Sequence, residues 1–109
     1  MANYSFSFNK VNKRFFNVEL KDGKKLQVKM PTKKVFEALK ELQDMDTANV
    51  DAALFYDDLS TLCAAALSNN MTKEKITAEY IAEEYDLKEL TDFVKEFFVY
   101  VGEEVDSPN

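Results

Sequence analysis

The chain has 109 residues, 46% hydrophobic and 31% charged, with a formal net charge of −6. That balance suits one globular domain with a modest core, and two glycines and two prolines are too few for a disordered linker or a turn-rich all-β fold. No apolar run approaches the roughly 20 residues that span a bilayer. The opening MANYSFSFNK lacks the basic-then-apolar order of a secretory signal, so the expectation is a cytoplasmic protein.

Tyr4, Phe6 and Phe8 alternate with Ser5 and Ser7, a short strand pattern with one aromatic face. Asn9 to Lys13 reads as a loop. Phe16, Val18 and Leu20 then alternate with polar residues, and Leu26, Val28 and Met30 do the same after Asp22-Gly23. Gly accepts the positive φ of a tight hairpin turn, so the two runs predict a β-hairpin lying on helices by one face. The Tyr4–Phe8 segment either adds a third strand or pairs with another subunit.

Thr32 caps a predicted helix carrying Val35, Phe36, Leu39 and Leu42, and Gln43 to Thr47 breaks its pattern. A longer helix runs from about Val50 to Ser68, with Phe55, Tyr56, Leu59, Leu62, Cys63 and Leu67 among its apolar positions. Asn69-Asn70 reads as its stop, because Asn tolerates left-handed geometry. Thr77 caps a short helix with Tyr80, Ile81 and Tyr85. The fold class is α+β and mostly α: an N-terminal hairpin packed on a bundle of about four helices, in a single domain. Residues 1–31 form its basic hairpin segment, 32–102 its acidic helical segment, and 103–109 an acidic tail expected to fray.

The last helix, Asp86 to Val101, carries the richest stripe. Asp86 and Glu89 have capping-box spacing, and Leu87, Leu90, Val94, Phe97, Phe98 and Val101 share one face at about 100° per residue. Phe93 and Tyr100 widen that face along one edge. Either neighbouring elements bury the edge, or Phe93, Phe97 and Tyr100 remain for another chain, with Phe55 and Tyr56 as further candidates for protein binding.

Charge is divided unevenly. Met1 to Lys34 carries about +7 and the remainder about −13. Such a basic segment can fold back on the acidic body, pair head to tail with a second copy, or meet a polyanion. The negative total argues against strong nucleic-acid binding, which needs a basic surface. Head-to-tail pairing would weaken as salt shortens the Debye length.

Catalytic chemistry is poorly provided for. No histidine is present, a single cysteine (Cys63) cannot build a thiolate metal site or an intrachain disulfide, and Gly23 and Gly102 stand alone. Asp44, Asp46 and Asn49 resemble the start of a calcium loop, but the glycine and glutamate positions hold Asn49 and Phe55. Asp57-Asp58-Leu59-Ser60 has the wrong order for a phosphopantetheine site. Glu83, Glu84 and Asp86 read as a solvated helix surface. No enzyme activity, cofactor, metal or small-molecule substrate is expected.

A Phe15–Met30 hairpin with a central Asp-Gly, a Thr-capped helix, an Ala-rich helix (LSTLCAAAL), a short helix and an aromatic terminal one follow in order. This order, in an acidic chain of this length, resembles the tail assembly chaperones of long-tailed bacteriophages of Gram-positive hosts. The resemblance implies a non-enzymatic protein of the host cytoplasm, left out of the mature virion. It would bind and solubilise the tape measure protein until tail tube protein displaces it, and would act as a homo-oligomer. The competing class is a small acidic phage-encoded regulator or inhibitor that binds a host protein through Glu83, Glu84 and Glu89.

Overall fold

The computed structural model describes residues 14–45 and 51–106. The Tyr4–Phe8 pattern, the Asn9–Lys13 segment and residues 46–50 and 107–109 lie outside the described residues. Within them the fold is α+β and mostly α: strands β1 (Phe16–Glu19) and β2 (Lys25–Val28), then helices α1 (Lys33–Asp44), α2 (Ala52–Ser68), α3 (Ala78–Glu84) and α4 (Leu87–Asp106).

The hairpin register places Phe16 opposite Val28 and Glu19 opposite Lys25. Its turn is built as the Asp-Gly pair dictates. Gly23 sits at φ +90°, the Gly23 amide donates to the Leu20 carbonyl at 2.9 Å, and the Leu20 amide donates to Lys24 at 2.8 Å. The Asp22 carboxylate accepts the Lys24 amide at 3.0 Å. Alternation then sorts the faces: Leu26 and Val28 are buried while Lys25 and Gln27 are exposed.

The free edge of β2 is covered from an unexpected direction. Val28 and Asn70 form an isolated antiparallel bridge, flanked by Lys29 N–H to Asn69 O (2.8 Å) and Met71 N–H to Gln27 O (3.0 Å). Asn70 is almost wholly buried, so its amide needs partners on every side. Its Nδ2 donates to the carbonyls of Leu67 (2.7 Å) and Glu74 (2.8 Å), and its Oδ1 accepts from Glu74 N–H and Thr72 Oγ1. Asn69 ends α2 with φ −85°, not in the left-handed region expected from sequence; that conformation belongs to Lys73, at φ 59°. The Asn pair stops the helix by bonding onward to the sheet and the loop.

Each helix begins on a side-chain cap. Thr32, Asp51 and Thr77 accept amides in the first turns of α1, α2 and α3. Asp86 and Glu89 cap α4 reciprocally, each carboxylate accepting the other's amide at 2.8 Å. α4 continues to Asp106, so residues 103–106, expected to fray, are helical. The reason is a clasp from the other end of the chain. Arg14 pairs with Glu104 at 2.7 Å and donates its amide to the same carboxylate, while the Tyr100 hydroxyl donates to the Arg14 carbonyl at 2.7 Å.

α2 is the hub, touching α1, α3, α4 and β2. The buried core runs from Leu26 and Val28 of the sheet through Leu39, Leu59, Cys63 and Leu67 to Ile81, Leu90, Val94 and Phe97. Burial pushes the Cys63 thiol up to about 12, as suits an inert structural residue. Among the described residues, three basic side chains of the segment pair across the fold: besides Arg14, Lys21 pairs with Glu89 of α4 (2.8 Å) and Lys24 with Glu74 of the α2–α3 loop (2.5 Å).

Candidate functional site

The aromatic edge of α4 divides into an enclosed part and an open part. Phe97 has no exposed surface and lies among Phe16, Phe93, Phe98 and Tyr100, with ring centroids 5.8 to 6.5 Å away. In this conformation it cannot touch another chain. Phe93 and Tyr100 are half-buried because the Phe16 ring stacks on both, at 5.9 and 5.4 Å. The hairpin therefore covers most of the edge that helical spacing left open. Phe93 still lines a crevice of about 440 Å³ between β1 and α4, whose α4 side also carries Glu89, Asp92 and Glu96.

Tyr56 serves the fold. Its hydroxyl donates to the Tyr85 carbonyl and, at 3.4 Å, to Ala82, tying α2 to the α3–α4 junction. The same junction receives the hairpin: the Lys21 amide donates to the Tyr85 hydroxyl at 3.1 Å, and the Lys21 ammonium lies 4.9 Å from that ring. The hydrogen bond with Glu89 raises the Lys21 pKa and lowers that of Glu89.

Phe55 has a different setting. It lines an open groove of about 360 Å³ bounded by α1 (Leu39, Leu42, Gln43), α2 (Ala52, Phe55, Leu59) and α4 (Leu87, Thr91, Val94, Lys95). Leucine, valine, alanine and phenylalanine make most of its lining, and Gln43, Thr91 and Lys95 provide the polar rim. The groove exists because small side chains meet: Ala52 stands one turn before Phe55, and Thr91 turns its hydroxyl onto the Leu87 carbonyl at 2.7 Å. Leu87 keeps 36% of its surface exposed at the mouth. The crevice along β1 is larger, but its acidic wall suits an apolar ligand less well than this groove does.

Of the five residues picked out by spacing, Phe93, Phe97 and Tyr100 share one cluster, while Phe55 and Tyr56 face different neighbours. Spacing alone missed Leu87, Ala52 and Thr91. A signal was present in Leu87, an apolar residue in the first turn of its helix with no earlier turn to shield it.

No known protein family, curated protein or solved structure matches this chain. Among the described residues no helix is long and apolar enough to cross a membrane.

Proposed function

We propose that this chain is a tail assembly chaperone of a long-tailed bacteriophage: a non-catalytic protein of the host cytoplasm that keeps the hydrophobic tape measure protein soluble until tail tube subunits assemble around it. One observation carries the reading, the open apolar groove among α1, α2 and α4. An amphipathic client helix needs such a groove to hide its apolar stripe, and the surplus negative charge of the carrier keeps the pair in solution. The acidic-regulator reading has less support, because Glu89 already serves Lys21 and the α4 cap.

The test is to look beside this gene for a long, helical coding frame and to co-express its product with this chain. Soluble complex with the native chain, and loss of client to the pellet with Leu87→Lys or Phe55→Ser, is the expected result. Client solubility unchanged by both variants would overturn the reading. Binding abolished only by charge reversal at Glu83 and Glu84 would replace it with the regulator.

A further inference from the structure

The two edges of the hairpin are treated differently. On β2 the outward-pointing backbone groups are taken by the Asn69–Met71 segment, which binds the Lys29 amide and the Gln27 carbonyl. On β1 the bond from the Leu20 amide to the Lys24 carbonyl sets the alternation. Phe16, Val18 and Leu20 bond towards β2, so Asn17 and Glu19 point their amides and carbonyls the other way. Among the described residues nothing bonds to these four groups. The next outward amide, that of Lys21, is taken by the Tyr85 hydroxyl at 3.1 Å, which closes the row at one end. An open row of this kind is a template for one more strand.

The crevice between β1 and α4 lies along that row. Its lining on the strand is the unbroken run from Phe16 to Lys21, both pleat faces in turn, so it follows the edge of the strand. On the α4 side Leu90 and Phe93 are apolar, while Glu89, Asp92 and Glu96 are acidic. A purely apolar occupant fits such a lining poorly. An extended segment with alternating aromatics and nearby basic charge fits it well.

We infer that the occupant is the chain's own Tyr4–Phe8 segment, which adds to the β1 edge as an antiparallel third strand and seals the crevice. Tyr4, Phe6 and Phe8 alternate with serines, Lys10 and Lys13 follow, and no acid lies between Met1 and Lys13. The described chain begins at Arg14, clasped to Glu104 and Tyr100 just before the open edge. From there the tether has about 4.8 Å to cross between neighbouring strands, at about 3.3 Å of reach per residue. So short a tether holds its own segment at an effective concentration of about millimolar, ahead of any free competitor.

Parity restricts the register. Tyr4, Phe6 and Phe8 share the helix-facing side of Phe16, Val18 and Leu20 only if they stand opposite those even-numbered positions. The backbones of Ser5 and Ser7 then meet the open groups of Asn17 and Glu19. Lys10 and Lys13 fall at the Phe16 end, where exposed Glu96 stands one turn before Tyr100. On α4 the crevice and the client groove lie about half a turn apart, so the third strand leaves the groove open. It stands or falls independently of the chaperone reading.

Amide hydrogen exchange of the full chain, followed residue by residue by NMR, tests it. The Asn17 and Glu19 amides should exchange at least about tenfold more slowly in the native chain than in Ser7→Pro or Phe6→Asp. The first variant deletes a ladder donor and keeps every aromatic; the second sets an acid against the acidic crevice. In the native chain the Ser5 and Ser7 amides should be slowed and those of Phe6 and Phe8 should not. Retained protection of the Leu26 and Val28 amides shows that the hairpin itself survives each substitution. Should a variant melt it, the alternation across residues 5–8 of the native chain decides alone. Dilution should change nothing, because the contact lies within one chain. Fast exchange at Asn17 and Glu19 in the native chain overturns the inference, as does protection that survives either variant in an intact hairpin. Protection lost on dilution overturns it too, since that assigns the edge to a second copy.

Discussion

Truncating Phe97 to alanine should come close to unfolding the protein. The side chain has no exposed surface and meets four other rings, from β1 and from both sides of α4. A Phe→Ala change at a fully enclosed site costs about 3–5 kcal/mol from lost transfer energy and the cavity left behind. The pairwise ring contacts are part of that figure and do not add to it. An unfolding entropy of about 2.1 cal/mol/K per residue gives a 109-residue chain about 0.23 kcal/mol/K, so each kcal/mol moves Tm by about 4 °C. The expected fall is about 13–22 °C, a large part of the 5–15 kcal/mol such domains possess. Thermal melts followed by circular dichroism, with Phe93→Ala as a half-buried comparison, measure it. A drop under about 5 °C for Phe97→Ala, or a larger drop for Phe93→Ala, would refute the placing of Phe97 at the centre of the cluster.

The other expectations concern single atoms. Ser60 Oγ is buried with no hydrogen-bond partner among the described residues, so Ser60→Ala should stabilise by about 1 kcal/mol, read as a higher urea midpoint; a lower midpoint would mean the hydroxyl is satisfied. Glu89 is held below its ordinary value of 4.5 by the Lys21 hydrogen bond and by the Asp86 amide. A lowered folded pKa means that the stabilisation is complete above the unfolded value and is lost as pH falls through the folded one. Glu89→Gln should therefore lose less stability than the native chain between pH 5 and pH 3, and equal losses would contradict this. Cys63, fully buried with its thiol pushed up to about 12, should react with a thiol reagent at pH 8 only as fast as the protein unfolds; rapid native-state labelling would exclude the packing described.

Local chemistry was readable wherever a few neighbouring residues decide the outcome. The Asp22-Gly23 turn and the caps at Thr32, Thr77 and Asp86–Glu89 depend on contacts within four residues. What spacing could not divide was the terminal stripe, because Phe16, far away in sequence, decides that Phe97 is enclosed and Phe93 only half so. The groove was hidden for the same reason: it arises where three helices converge and Ala52 and Thr91 leave room. Asn70 read as a helix stop and proved to be the bolt between loop and sheet, since a sequence does not say that an amide will be buried. The end of α4 was mistaken because its support, Arg14, comes from the opposite end of the chain.

The Arg14–Glu104 and Tyr100–Arg14 contacts join positions 90 and 86 residues apart. A two-strand hairpin is marginal on its own in water, and here its two strands find support at different times. During translation β2 can dock as soon as α2 and the Asn69–Met71 segment are made, whereas β1 waits for α4 to bring Phe93, Phe97 and Tyr100 to Phe16. A nascent chain halted before Glu89 would hold Lys24 against Glu74 but leave Lys21 and Phe16 without their partners on α4, and protease should cut β1 first.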